Sequence, residues 1–165
     1  MMKTLYLMRH AKSSWANSGQ SDFDRPLNER GMQDVPEMAL RMQEAGAHVD
    51  VVVSSPAVRA LSTAILLSQA LSLVPEDIVQ DRQIYLAGSA KLLHIISGFD
   101  ERYTSALLVA HNPALTDLAN ELAHAGIDNI PTCGLVSIAL PVEYWAEVLP
   151  GIGQLLAFDY PKNSD

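Results

Sequence analysis

The sequence predicts an α/β fold, a three-layer α/β/α sandwich with a mostly parallel sheet, and three observations carry that expectation. The apolar runs Leu5–Met8, Val51–Val53 and Ala106–Ala110 are short and uninterrupted, as suits strands buried on both faces of a parallel sheet. Each is followed by helix-start signals and a helix-length stretch, the alternation that places helices on both faces. Each also stops near a residue able to do chemistry: Arg9 and His10, then Arg59, then His111.

Composition bounds what such a chain does. The 165 residues are 48% hydrophobic and 18% charged, enough for one globular domain over residues 1–165 with a core that requires no metal or disulfide staple. A net charge of -8 repels polyanions, so neither nucleic acid nor an anionic membrane is expected as a partner, and any anionic ligand has to be met by local cations. Cys133 is the single cysteine; with no signal peptide evident, a reducing cytoplasmic location is expected. No apolar run approaches the ~20 residues of a membrane helix.

Taken in order, the first strand is expected at about Lys3–Met8, followed by a polar loop, Ser13–Arg25, long enough to suggest a functional role. Lys12 and that loop receive no assigned role. Pro36 would break a helix started at Asn28, so the expected start is Asp34 as N-cap, with Pro36 in the first turn, Glu37 at N3 and Gly46 at the end. Asp50–Ser54 is the second strand. Ser55 as N-cap and Pro56 at N1 then open a helix whose first turn holds Arg59 and whose core face is Leu61, Ile65 and Leu71. Ile78–Val79 is a possible short strand. Ala90–Ser97 reads as a helix with Leu92, Leu93 and Ile96 inward and His94 without a chemical role. Ser105–Ala110 is the third buried strand, with Asn112 as N-cap and Pro113 at N1 of a helix through Leu122. Leu135–Leu140 and Gln154–Phe158, joined without a helix-length connection, should pair antiparallel.

Ligands gather outside the carboxyl ends of strands in open α/β sheets, and there three strands deliver two arginines and two histidines without a thiol or carboxylate cluster. Arginines would repel a metal ion, so no metal and no cofactor is expected. A phosphoryl group suits the set: arginine forks match its oxygens bidentately, helix N-termini add N–H donors, and a neutral imidazole can attack phosphorus.

The motifs Leu7-Met8-Arg9-His10, Ser54-Ser55-Pro56-Ala57-Val58-Arg59-Ala60 with Thr63-Ala64, and Val109-Ala110-His111-Asn112-Pro113 resemble the histidine phosphatase, or phosphoglycerate mutase-like, superfamily. The short chain, Asp24-Arg25-Pro26-Leu27-Asn28-Glu29-Arg30-Gly31 and Pro131-Thr132-Cys133-Gly134 are similar to its SixA-type phosphohistidine phosphatases. The resemblance implies that His10 is the nucleophile, that Arg9 and Arg59 clamp the phosphoryl oxygens, and that His111 donates to the same group in the transition state. Asn17 and Asn112 are the further residues it places against substrate.

Two positions depart from the superfamily pattern. Ala11 stands where glycine is common, a change that an ordinary backbone accommodates. Mutases and phosphomonoesterases usually supply a Glu or Asp general acid from mid-chain, and Arg82–Gly88 has none. Expelling an alkoxide without an acid is difficult, whereas a phosphoramidate releases an imidazole that titrates near neutral pH. The expected activity is therefore that of a metal-independent phosphatase with a phosphohistidine enzyme intermediate, acting on phosphohistidine in a protein such as a carrier domain. A phosphatase of a small phosphomonoester, with Asp22, Asp24 or Asp81 as acid, is one alternative; a non-catalytic phospholigand-binding module is another. Convergence of His10, Arg59 and His111 on one phosphate site is the structural requirement.

Overall fold

A computed structural model of the chain describes residues 2–164. The strands are β1 (Lys3–Arg9), β2 (Val51–Ser54), β3 (Val79–Gln80), β4 (Ser105–Ala110), β5 (Leu135–Leu140) and β6 (Gln154–Asp159), and the helices are α1 (Glu29–Glu44), α2 (Val58–Ala70), α3 (Ser89–Ser97) and α4 (Ala114–Ala123). They form one six-stranded sheet in the order β3-β2-β4-β1-β5-β6. β1, β2, β3 and β4 run parallel, while β5 is antiparallel to both β1 and β6. The expected mixed topology is thus present.

Side-chain alternation along the central strands divides the core into two layers. Leu5, Leu7, Val51, Val53, Ala106 and Leu108 face Leu92 and Ile96 of α3 and Leu115, Leu118 and Leu122 of α4, with Trp145 buried among them. Tyr6, Met8, Val52, Leu107 and Val109 face Val35, Met38 and Met42 of α1 and Ala60, Ala64 and Leu67 of α2. No helix among the described residues is long and apolar enough to cross a membrane.

Three expected helix starts are corrected. α1 begins at Glu29, not after Asp34: Asn28 is its N-cap, accepting from Gly31 N at 2.8 Å, and Pro36 lies inside the helix. Pro36 and the preceding turn at Met32 are on the exposed face, so the carbonyl that loses its i+4 donor can be hydrated, and Asp34 pairs with Arg30 at 3.0 Å. α2 begins at Val58, with Ala57 in the N-cap position; Ser55 Oγ still accepts from Ala57 N but is shared with His111. α4 begins at Ala114, and Asn112 reaches into its first turn to accept from Thr116 N and Thr116 Oγ1.

The core face of α2 is corrected as well. Its buried residues are Arg59, Ala60, Thr63, Ala64, Leu67 and Ser68, whereas Leu61, Ile65 and Leu71 are half-buried. Small side chains let α2 pack closely on the sheet, and this face is the one that turns Arg59 toward the end of β1. Elsewhere the bounds move by one or two residues: β1 extends to Arg9, β2 starts at Val51, β3 falls on Val79–Gln80, α3 starts at Ser89 and β6 ends at Asp159.

Candidate active site

The ends of β1, β4 and α2 are stitched together by backbone bonds that leave little freedom at His10. His10 N donates to Ala110 O at 3.2 Å, and Arg9 N to Gly134 O at 3.0 Å. Cys133 N is shared between Arg9 O and His10 O, at 3.1 and 3.0 Å. Ala11 N donates to Thr63 Oγ1 at 2.9 Å, and the Thr63 hydroxyl donates to Arg59 O at 2.7 Å. Thr63 therefore fixes the β1 exit against the first turn of α2, where Arg59 sits. The Cys133 thiol is buried and pushed up to about 12 by that burial, with Asp34 adding to the effect, so it is protonated and chemically quiet.

His10 is only 7% exposed, and its Nδ1 lies 2.8 Å from Ala11 O. A carbonyl only accepts, so Nδ1 carries the ring proton and Nε2 holds the lone pair. Burial, reinforced by His111, Arg59 and Arg9, pushes His10 down to about 3 despite the Ala11 carbonyl. The imidazole is neutral at physiological pH, as a nucleophile has to be. Its centroid lies 5.3 Å from that of His111.

His111 is neutral too, pushed to about 4 by burial and then by Arg59. Its Nε2 is 2.8 Å from Ser55 Oγ, which already accepts from Ala57 N. The arrangement that gives the Ser55 hydroxyl proton an acceptor has it donating to Nε2, which leaves Nδ1–H as a donor. That Nδ1 is buried and has no partner.

The two arginines are held at one end and open at the other. Arg9 Nη1 donates to Ile130 O at 2.9 Å, while its Nε is buried without a partner. Arg59, 6% exposed, donates from Nη1 to Asp22 O at 2.7 Å and from Nη2 to Asp22 Oδ2 at 3.1 Å, and its buried Nε likewise lacks a partner. Among the described residues, the buried side-chain polar atoms without a partner are these three and Ser68 Oγ. Buried N–H groups without acceptors are costly, so three donors on residues flanking one imidazole describe a place built for an anion.

Similarity to known proteins agrees with this chemistry. Residues 5–84 match the family model of the histidine phosphatase superfamily (branch 1). A candidate phosphohistidine phosphatase, SixA, from Agrobacterium tumefaciens is 30% identical and superposes with a TM-score of 0.80 over 96% of this chain and 98% of that one. The chain belongs to the histidine phosphatase superfamily. An uncharacterized protein of Mycobacterium tuberculosis is 30% identical over 94% of this chain and 100% of its own length. A candidate SixA from Nakamurella multipartitia, at 21% identity, shares the fold with a TM-score of 0.84 over 98% of this chain and 97% of that one. The six-stranded mixed sheet is the phosphoglycerate mutase-like fold of this superfamily.

Within this histidine phosphatase, Arg9, His10, Arg59 and His111 come together, whereas the Asn112 side chain is committed to neighbouring groups and Asn17 lies in an exposed loop. Asn17 is exposed in the loop after β1 and uses its side-chain oxygen on Gly19 N. Asn112 donates to Asn129 Oδ1 and Ile130 O and accepts from Thr116; Ile130 O also holds Arg9, so Asn112 acts through that scaffold. Sequence reading named Asp22 only as an alternative general acid and gave Arg25 and Tyr85 no role at the site. Asp22 accepts from Arg59, from Arg25 Nε at 3.2 Å and from the Tyr85 hydroxyl at 2.7 Å, while the Tyr85 ring stands edge-on to His111 at 5.6 Å. The length of the Ser13–Arg25 loop was the available signal for Asp22 and Arg25; nothing in the sequence marked Tyr85.

Proposed function

We propose that this chain is a metal-independent phosphatase that dephosphorylates phosphohistidine in a protein, such as a carrier domain, through a phosphohistidine on its own His10. The observation that carries the reading is a set of three unpartnered buried donors, Arg9 Nε, Arg59 Nε and His111 Nδ1, on residues whose charges or ring bear on the His10 imidazole, the Nε2 of which holds the lone pair. The unpartnered atoms are donors, which suit phosphoryl oxygens and repel a cation.

In the first step the Nε2 lone pair forms the new N–P bond while the substrate's P–N bond breaks, its electron pair leaving on the substrate imidazole, which takes a proton from water. The Ala11 carbonyl holds Nδ1–H throughout and stabilises the charge that develops on the ring. Arg9, Arg59 and His111 meet the equatorial oxygens, where charge accumulates. Water then attacks the phosphoenzyme and releases inorganic phosphate and neutral His10. No residue need donate a proton to an alkoxide. Asp22 is held at about 2, first by the Tyr85 hydroxyl and also by Arg59 and Arg25, so it is ionised. Asp24 accepts from Ser21 Oγ, and Asp81 from Gln83 N in the turn it caps. The candidate SixA from Agrobacterium tumefaciens supports the same substrate class.

Turnover of a phosphohistidine-bearing protein should place acid-labile, base-stable phosphate on this chain, and His10→Ala should abolish both label and turnover. His111→Ala should slow the chemistry by the about 2.7–4 kcal/mol that one transition-state donor contributes in comparable sites. Simple alkyl phosphates should be poor substrates beside the phosphoprotein. Substantial turnover by His10→Ala, or alkyl phosphate hydrolysis matching that of phosphohistidine, would falsify the reading.

A further inference from the structure

We propose that Asp22 sets the leaving-group specificity of this site, as a fixed negative charge at its mouth that admits neutral or cationic leaving groups and turns away anionic ones. The inference deepens the phosphoryl-transfer reading and rests on it. Four contacts fix the residue: Arg59 Nη1 on its carbonyl at 2.7 Å, and Arg59 Nη2 at 3.1 Å, Arg25 Nε at 3.2 Å and the Tyr85 hydroxyl at 2.7 Å on its carboxylate. Arg25 is itself anchored, donating to Ser13 Oγ at 2.6 Å and stacked on Trp15 at 3.5 Å. The carboxylate thus joins the loop after β1 to α2 and to the Tyr85 turn.

Position gives this charge its role. The Asp22 side chain is 50% exposed, whereas His10 is 7% exposed at the floor. In-line displacement puts the leaving group opposite the nucleophile, hence on the exposed side where Asp22 stands. Arg59 and Arg25 are cations there that could attract a carboxylate or second phosphate on a substrate, and Asp22 already pairs with both; Arg82, over the neighbouring Phe23 ring at 5.9 Å, is a further cation nearby. A departing imidazole is neutral once it has taken its proton and becomes a cation with a second one, and a carboxylate tolerates the first and attracts the second; a leaving group that carries its own carboxylate meets a like charge.

Three aryl phosphates read the effect directly: phenyl phosphate, 3-carboxyphenyl phosphate and 3-(aminomethyl)phenyl phosphate, each assayed as kcat/KM with wild-type protein and Asp22→Asn. Intrinsic leaving-group reactivity cancels when the aminomethyl-to-carboxy ratio is compared between the two proteins. A unit charge several ångströms away near a protein surface should make that ratio fall about tenfold or more in Asp22→Asn, with phenyl phosphate reporting any general loss from a displaced Arg59. Asp22→Glu keeps the charge and should keep the preference. A ratio unchanged within about twofold between wild type and Asp22→Asn, a difference of only about 0.4 kcal/mol, overturns the inference while leaving the phosphatase reading intact. No turnover of any ester, together with no phosphate on His10 after incubation with a phosphohistidine-bearing protein, overturns both.

Discussion

His10 and His111 are kept neutral by burial in a positive environment, at about 3 and about 4, against an ordinary histidine value near 6.5. Between those folded values and about 6.5 the unfolded chain binds protons that the folded chain does not, so folding stability falls as pH falls through that window. Above about pH 6.5 neither residue carries a penalty. Each histidine should contribute a slope of about 1.4 kcal/mol per pH unit inside the window. Urea unfolding at pH 7 and pH 5 should show wild type losing more stability than the His10→Asn, His111→Asn double variant. Equal losses would mean that these imidazoles titrate normally. The nucleophile should likewise remain competent at pH 5, where an unshifted imidazole is mostly protonated.

At the scale of the element, α1 shows why the loop after β1 starts where it does. A Cβ on Gly31 would lie 2.2 Å from Lys12 O, and Asn28 N donates to that same carbonyl at 3.0 Å, so the first turn of α1 rests on the backbone two residues beyond His10. Gly31→Ala should destabilise the protein by about 1–3 kcal/mol, the range for overpacking, and should lower activity because the strain is relieved at Lys12 and its neighbours. Pro36 is the opposite case. It interrupts α1 on the exposed face, and Pro36→Ala restores one helical hydrogen bond, so stability should rise by on the order of 1 kcal/mol, a fraction of the usual interior-proline penalty. Denaturant midpoints check both, and a Pro36→Ala midpoint below wild type would show that the proline fits its turn better than a hydrogen bond would.

For the molecule as a whole, a net charge of -8 surrounds a site whose own charges are Arg9, Arg59 and Arg25, countered by Asp22. The long-range field repels the ligand that the local donors attract, so anion affinity should depend on those donors and not on bulk charge. Tungstate or vanadate, which mimic a phosphoryl group, should raise the thermal midpoint, with about 2.7 kcal/mol gained at a concentration a hundred times Kd. Arg59→Ala should abolish that rise, while removal of an exposed cation such as Lys91 should leave it in place. A rise that persists in Arg59→Ala would locate the anion elsewhere.

The sequence by itself determined the layers, the strands and the four residues at the strand ends. Buried parallel strands are read from local apolar runs, and Arg9, His10 and His111 follow those runs directly, so their placement depends on the chain only a few residues away. Helix starts were less legible, because Asn28, Ser55 and Asn112 each gain partners from distant segments: Lys12, His111 and Ile130 respectively. The face of α2 was misread for the same reason, since close packing selects Ala60 and Ala64 over larger neighbours. Only the tertiary structure decided which atoms remain free. The Ala11 carbonyl that fixes the His10 tautomer, the Ser55 hydroxyl that fixes His111, and the contacts from Asp22 to Arg59 and Tyr85 are set by side-chain geometry. The contacts of Ser55 and Asp22 also join segments tens of residues apart, and no local pattern encodes them.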